Sequence, residues 1–234
     1  MCMLYIVGTP IGNLEDLSLR AAKVIAGADV VLAEDTRSFL KLKSAVKRLF
    51  SLQINHLQKV ISYYKEIEME RISLVLDMLG QGKDVVLISE AGMPVVNDPG
   101  QLLVRAVREQ NIPYTVIPGP VAFAAAVVFA GFSFSSVVFL GFFPKRKRSG
   151  FLQRLEDLSR SLPEAVFVFY ESPKRIKKTL RQILDYFEKR VRIVVCHEMS
   201  KIYEQIVEIR DHRELQSLVE RGEYTVVFQI SELI

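Results

Sequence analysis

Apolar strand runs alternate with helix-length amphipathic segments along this chain, which predicts an α/β protein of two α/β lobes, residues 1–117 and 118–234. Runs such as Leu4-Tyr5-Ile6-Val7 and Val85-Val86-Leu87-Ile88 are continuously apolar, as expected of parallel strands buried on both faces. Five strand runs end in turns of small and polar residues: Gly8-Thr9-Pro10-Ile11-Gly12-Asn13, Ala33-Glu34-Asp35-Thr36-Arg37, Ser89-Glu90-Ala91-Gly92-Met93-Pro94, Pro118-Gly119-Pro120 and Phe169-Tyr170-Glu171-Ser172. Ligands of open α/β sheets bind outside the carboxyl ends of the strands. The repeated turn therefore points to a site as well as a scaffold.

Taken in order, strand 3–7 leads to the first glycine turn, and helix 17–26 follows with Asp16 or Ser18 as its cap. Strand 30–33 ends at Glu34-Asp35, and a helix with a basic outer face runs over 37–50. A less regular stretch precedes helix 66–79 and strand 84–89. Asp98-Pro99 opens helix 100–110 in the favoured order of cap then proline, and strand 114–117 closes the first half. The second half reads as helix 121–130, strand 137–140, helix 151–162, strand 165–170, helix 174–187 capped by Ser172-Pro173, strand 192–196, an extended 203–209, a short helix near 214–220 and strand 224–230. Its adjacent late strands predict a mixed second sheet.

Composition narrows the classes. Of 234 residues, half are hydrophobic and a quarter charged, an ordinary globular balance, and the net charge is only +4. Where the cations lie therefore matters more than their sum. Two cysteines and three scattered histidines give neither a disulfide framework nor a metal-ligand spacing, which predicts a reduced, cytoplasmic, metal-free protein. Residues 110–144 carry no charge, but Pro118-Gly119-Pro120, Gly131 and three serines leave no apolar run long enough to span a membrane. The first residues lack the basic start and apolar core of a secretory signal.

Several segments carry chemistry. The turn from Gly8 to Asn13 matches neither the dinucleotide fingerprint nor the phosphate-cradling loop, so alone it reads as a tight turn or a ligand site. Two prolines and two glycines stiffen the 89–100 loop, a length that is usually functional. Its carboxylates Glu90 and Asp98 suit a hydrogen-bond-donating or cationic ligand, and Asp98 also reads as a helix cap. Lys145, Arg146, Lys147 and Arg148 form one basic loop. Lys174, Lys177, Lys178 and Arg181 fall at helical spacing opposite an apolar stripe of Ile176, Leu180, Ile183, Leu184 and Phe187. Cations near a helix start oppose its dipole, which either a phosphate backbone or simple solvation with balance from Glu171 can explain. Cys196 and His197 are strand neighbours on opposite faces, so they form no nucleophile pair, and Cys196 reads as core.

Together the segments Gly8-Thr9-Pro10-Ile11-Gly12-Asn13-Leu14, Ala33-Glu34-Asp35-Thr36-Arg37, Pro118-Gly119-Pro120, Phe169-Tyr170-Glu171-Ser172 and 198–201 resemble the tetrapyrrole methylase superfamily of S-adenosylmethionine-dependent methyltransferases. Within it, the chain is most similar to the branch that methylates a cytidine ribose 2′-hydroxyl of bacterial small-subunit ribosomal RNA. The resemblance spans nearly the whole chain. It implies the two-lobed tetrapyrrole methylase fold with the cofactor in the cleft between lobes, and a homodimer. It implies S-adenosylmethionine contacts from Pro10, Ser89, Glu90, Ala91, Gly92, Pro94, Pro118, Gly119, Ala122, Phe169, Tyr170, Met199 and Thr225.

Three departures accompany it. The family's Ser-Asp-Ala-Gly-Thr-Pro is Ser89-Glu90-Ala91-Gly92-Met93-Pro94 here, its His-Glu-His-Asn is Tyr64-Lys65-Glu66-Ile67, and the usual C-terminal extension of the RNA enzymes is not in this sequence. The expected reaction is in-line transfer of a methyl group to a ribose hydroxyl, with Asp35 or Glu198 as the base. Arg37, Lys201, Lys145, Arg146, Lys147, Arg148, Lys174, Lys178 and Arg181 would meet ribosomal RNA or the small subunit. The alternatives are a methyltransferase of a small molecule such as a tetrapyrrole, and a non-catalytic RNA-binding assembly factor.

Overall fold

The computed structural model describes residues 2–231. The chain divides into two compact units, one running to Val121 and the other starting at Ala122.

In the first unit, β1 (Leu4–Val7), α1 (Leu19–Gly27), β2 (Val30–Ala33), α2 (Thr36–Phe50), β3 (Lys59–Ser62), α3 (Glu68–Gly80), β4 (Val85–Ile88), α4 (Gln101–Glu109) and β5 (Tyr114–Ile117) follow in sequence. The sheet order is β3-β2-β4-β1-β5, and every pairing is parallel. Leu4 stands opposite both Val85 and Tyr114, so the strands start level and their carboxyl ends fall on one edge. Strand side chains alternate between faces. Val7, Val31 and Val86 pack with Ala21, Ile25, Phe39 and Leu42 of α1 and α2. Leu4, Ile6, Leu32 and Leu87 pack with Val75, Leu79, Leu103 and Val107 of α3 and α4. The helix after β1 and the helix after β4 thus cover opposite faces although the two strands are neighbours. That is a topological switch point, where open α/β sheets bind ligands.

The expected helix caps hold in part. Ser18 Oγ accepts the Ala21 N–H at 3.1 Å and starts α1. Asp98 does not cap α4: the helix begins at Gln101 with Gly100 as its cap residue, and its amides are taken by Glu68 instead. Likewise Ser172-Pro173 opens a turn rather than a helix, and α7 (Ile176–Phe187) starts later with Arg175 in the cap position. The stretch read as irregular contains β3, and the helix expected near 214–220 is a short 3₁₀ turn, Glu214–Ser217.

The second unit contains α5 (Ala122–Ala130), β6 (Ser136–Phe142), α6 (Arg148–Ser161), β7 (Ala165–Glu171), α7, β8 (Val191–His197), β9 (Gln205–Ile209) and β10 (Tyr224–Ile230). Its sheet is mixed as expected, in the order β6-β7-β10-β8-β9. Only β6 and β7 pair in parallel. One face carries an aromatic core in which Phe167 stacks on Phe228 at 5.2 Å and Phe143 meets Phe169 at 4.9 Å, closed by Leu180, Ile183 and Phe187 of α7. Cys196 is fully buried, and burial pushes its thiol up to about 12. Among the described residues no helix is long and apolar enough to cross a membrane.

Candidate active site

Three of the strand-end turns converge in the first unit through backbone contacts. Gly8 N–H donates to Ile117 at 3.0 Å, joining the turns after β1 and β5. Thr9 and Gly92 exchange backbone hydrogen bonds of 2.8 and 3.1 Å, joining the turns after β1 and β4. A Cβ on Gly8 would lie 2.7 Å from Gly119, and one on Gly119 would lie 2.8 Å from Gly8. Glycine is required at both for space: the two main chains touch with no room for a side chain.

The expected cofactor residues of this unit sit on those turns. Pro10, Ser89, Gly92 and Pro94 are buried, Ala91 and Gly119 half-buried, and Glu90 and Pro118 exposed. Beyond them the loop is held in unusual backbone geometry. Gly92, Val95, Asn97 and Gly100 all have positive φ, 80°, 74°, 70° and 121°. At Val95 a branched side chain makes this costly, and such strain persists only where its surroundings fix it. Glu68 is one such surrounding group: it is buried, and its Oε1 accepts Gly100 N–H at 2.9 Å, Leu102 N–H at 3.0 Å and the Tyr63 hydroxyl at 3.3 Å. Little local in the sequence marks this carboxylate, since its backbone partners Gly100 and Leu102 lie 32 and 34 residues away.

Carboxylates gather around the same edge. Burial, then the charges of Glu34 and Glu90, push Asp98 up to about 6, and the Ser89 hydroxyl offsets part of the rise. Glu34 is raised by burial and by Glu90 and Glu66. Ser38 donates to Glu90 at 3.2 Å. Asp35, one of the two expected bases, caps α2 by accepting the Arg37 N–H at 2.7 Å. Among the described residues no group of three or more His, Cys, Asp or Glu side chains could hold a metal ion.

In the second unit, Tyr170, Thr225 and Cys196 face one another across β7, β10 and β8. They share the sheet face opposite the aromatic core. Tyr170 is half-buried, edge-on to Phe139 at 5.0 Å, which in turn stacks on Phe123 of α5 at 4.5 Å. Thr225 and Met199 are buried and Ala122 is half-buried at the start of α5. Phe169 points the other way into the core with no exposed surface, so only its backbone can serve a ligand.

The second expected base, Glu198, is committed: its Oε1 accepts Lys201 Nζ and the Glu223 N–H, both at 2.9 Å. Burial pushes its pKa up, but Lys201 and the Glu223 amide outweigh it and hold the carboxyl below its usual range. Lys201 also pairs with Glu223 at 2.9 Å. Burial pulls its ammonium down, but these two carboxylates win and its pKa is raised. Of the remaining expected RNA contacts, Arg37, Lys145, Arg146, Lys147, Lys174, Lys178 and Arg181 are exposed. Arg148 is half-buried: it donates to the Pro144 carbonyl at 2.9 Å and to Gln182 at 2.6 Å. Its burial and the nearby Arg175 guanidinium lower its pKa, with Glu171 opposing them.

Comparison with known proteins agrees with this arrangement. Residues 3–214 match the family model described as Tetrapyrrole (Corrin/Porphyrin) Methylases. A Thermotoga maritima protein named "Ribosomal RNA small subunit methyltransferase I" is 37% identical over 99% of this chain and 100% of its own length. A Coprothermobacter proteolyticus protein of the same name is 35% identical over 98% and 99%. Relatives of this chain's length therefore exist alongside longer ones, such as that of Halalkalibacterium halodurans, of which the match covers 66%. The solved structure of a cobalt precorrin-4 methyltransferase superposes with a TM-score of 0.71 at 18% identity over 96% of this chain and 94% of its own. That of the uroporphyrin-III-C-methyltransferase from Thermus thermophilus gives 0.65 at 17% over 97% and 94%, a likeness of fold alone. With two α/β units, converging glycine turns and a family model covering most of its length, the chain belongs to the tetrapyrrole methylase family and is an S-adenosylmethionine-dependent methyltransferase.

Proposed function

We propose that this protein transfers a methyl group from S-adenosylmethionine to a ribose 2′-hydroxyl of a cytidine in small-subunit ribosomal RNA. The observation that carries the RNA reading is the similarity, over nearly the full length, to relatives named for small-subunit ribosomal RNA. The exposed cations of the 145–147 loop and of α7 supply the charge that a phosphate backbone calls for.

The residues present fit the cofactor. In the first unit the turns after β1, β4 and β5 are built of Pro10, Ser89, Ala91, Gly92, Pro94, Pro118 and Gly119, which offer backbone groups and little bulk, while exposed Glu90 suits sugar hydroxyls. In the second unit, Ala122, Tyr170, Met199, Thr225 and the backbone of Phe169 would make the remaining contacts. When bound, the cofactor supplies an electrophilic methyl group on a sulfonium sulfur. The protein's share is chiefly to hold the hydroxyl oxygen in line with that methyl group, since alignment accounts for most of the achievable acceleration in such displacements. The hydroxyl proton goes to a carboxylate or to water held by one. Asp35 fits that role better than Glu198, whose pairing with Lys201 weakens it as a base. Arg37 follows Asp35 on α2 and would hold a nearby phosphate, as would Lys145, Arg146, Lys147, Lys174, Lys178, Arg181 and Lys201. The reading includes a cytoplasmic homodimer working without a metal.

Purified protein with tritiated S-adenosylmethionine would be given small ribosomal subunits lacking the cytidine 2′-O-methyl mark, with free RNA and a tetrapyrrole precursor in parallel. Label in the subunit RNA is the expected result. Label in the tetrapyrrole alone would transfer the assignment to small-molecule methylation.

A further inference from the structure

Building on the RNA reading, we propose that Arg148, Arg175 and Gln182 are positioning residues that lock two separate runs of exposed cations into one phosphodiester-binding surface. The runs lie about thirty residues apart in sequence. Lys145, Arg146 and Lys147 occupy the loop between β6 and α6; Lys174, Lys178 and Arg181 precede or lie on α7.

Each end of the loop is tied to α7 or to the turn before it. At the entry, Arg175 Nη2 donates to the Phe143 carbonyl at 2.7 Å. At the exit, Arg148 Nε donates back to the Pro144 carbonyl at 2.9 Å and its Nη1 reaches Gln182 Oε1 at 2.6 Å. Gln182 is one turn beyond Lys178 and next to Arg181, so this bond sets the loop beside the basic face of α7. Phe143, buried under the loop, receives the Arg148 guanidinium over its ring at 5.7 Å. Arg175 is itself fixed: its Nε donates to Glu171 Oε1 at 2.7 Å, and Glu171 Oε2 accepts the Thr179 hydroxyl at 2.6 Å. Arg175 Nη1 is sealed from solvent. With Nε committed to Glu171 and Nη2 to the Phe143 carbonyl, this guanidinium serves the loop's shape rather than a phosphate.

The division of labour follows. Exposed cations contact phosphates, and the two arginines with Gln182 hold them in register. Holding the loop in place beforehand removes an ordering cost from binding. Gln182 is uncharged, which makes the idea testable apart from charge. Contact residues contribute to the salt dependence of RNA binding, about one unit of slope per cation lost, while positioning residues do not.

The test compares Gln182→Leu, Arg148→Lys and Lys145→Gln in methyl transfer to small subunits, with RNA binding measured across salt concentrations. For Gln182→Leu the expected result is a KM for RNA raised about fivefold, with kcat and cofactor affinity unchanged and the salt slope kept. Arg148→Lys keeps the charge but loses the two-ended reach, so it should also raise KM without lowering the slope. Lys145→Gln should lower the slope by about 1. Unchanged KM in both Gln182→Leu and Arg148→Lys overturns the proposal, as does a slope lowered by about 1 in Arg148→Gln, which removes the charge and would make Arg148 a phosphate contact. If neutralising Lys145, Arg146 and Lys147 together leaves the salt dependence of RNA binding unchanged, the loop is no phosphate contact and the proposal is overturned. Failure of the wild-type protein to label subunit RNA would instead end the RNA reading itself, a result distinct from failure of the lock.

Discussion

Glu68, in the first turn of α3, accepts the backbone N–H groups of Gly100 and Leu102 through a single oxygen, at 2.9 and 3.0 Å. One buried carboxylate therefore serves the amino ends of two helices, its own and α4, each of which favours negative charge. The same bonds fix the end of the 89–100 loop, where Val95 and Asn97 hold positive φ. Glu68→Ala should cost about 3 kcal/mol, combining a lost helix cap with buried amides left unpaired. Glu68→Gln, which keeps an acceptor, should cost about 1 kcal/mol. Urea unfolding of the three proteins gives the comparison, and equal midpoints for Ala and wild type would remove this role.

Asp98 supplies a pH prediction. Its folded pKa of about 6 is raised above the ordinary 3.8 by burial and by Glu34 and Glu90. Its contribution to stability is therefore fully present below the unfolded value and lost as pH rises through the folded one. An uncharged Asp98→Asn avoids that loss. At pH 8 it should be more stable than wild type by about 1 kcal/mol, after discounting for the water that reaches this half-buried group, and the gain should vanish below about pH 4. Thermal unfolding at pH 4, 6 and 8 reads the difference; a gain that does not change with pH contradicts the assignment.

These two carboxylates also mark where the sequence is legible. Apolar runs such as Val85-Val86-Leu87-Ile88 identified the parallel strands because burial on both faces leaves no room for polar residues. Asp98-Pro99 has the local form of a helix start, yet α4 begins two residues later because Glu68, distant in sequence, supplies the acceptor. Ser172-Pro173 misleads for a similar reason, with buried Glu171 and Arg175 governing the turn before α7. β3 has no strand signature of its own because Lys59 is exposed and Val60, Ile61 and Ser62 are only partly buried at a sheet edge, so the strand is defined by pairing with β2 rather than by its own pattern. The glycine turns were visible as turns. That Gly8 and Gly119 meet each other depends on β1 and β5 being neighbours, which only the sheet order reveals.

That contact yields a steric prediction. In Gly119→Ala the new methyl would sit 2.8 Å from the Gly8 carbonyl carbon and Cα, with backbone on the other side that cannot swing away. The turns after β1 and β5 must part, at about 2 kcal/mol. S-adenosylmethionine affinity should fall at least about tenfold, the equivalent of about 1.4 kcal/mol. Gly150→Ala is the control: nothing lies within 4 Å of its new Cβ in α6, and the helix should gain about 0.5–1 kcal/mol with affinity untouched. Calorimetric titration of both variants separates the steric effect from a general effect of replacing glycine.

Glu171 carries the last prediction. Its carboxylate is buried and takes bonds from Ser172 N–H, Arg175 and the Thr179 hydroxyl, so no lone pair faces water alone. Removing one member of a buried ion pair strands the other charge, which costs more than the pair's net worth. Glu171→Ala should therefore destabilise the protein by about 3–5 kcal/mol. The Arg105–Glu109 pair, with both side chains mostly exposed, should matter little when broken by Arg105→Ala. Salt discriminates further: 1 M NaCl screens the surface pair but hardly reaches the buried one. Unfolding midpoints at low and high salt should show a large, salt-insensitive loss for Glu171→Ala and a small loss for Arg105→Ala that disappears. A Glu171→Ala loss that shrank with added salt would mean that water already reaches this pair, and that Arg175 is not held firmly enough to brace the loop above it.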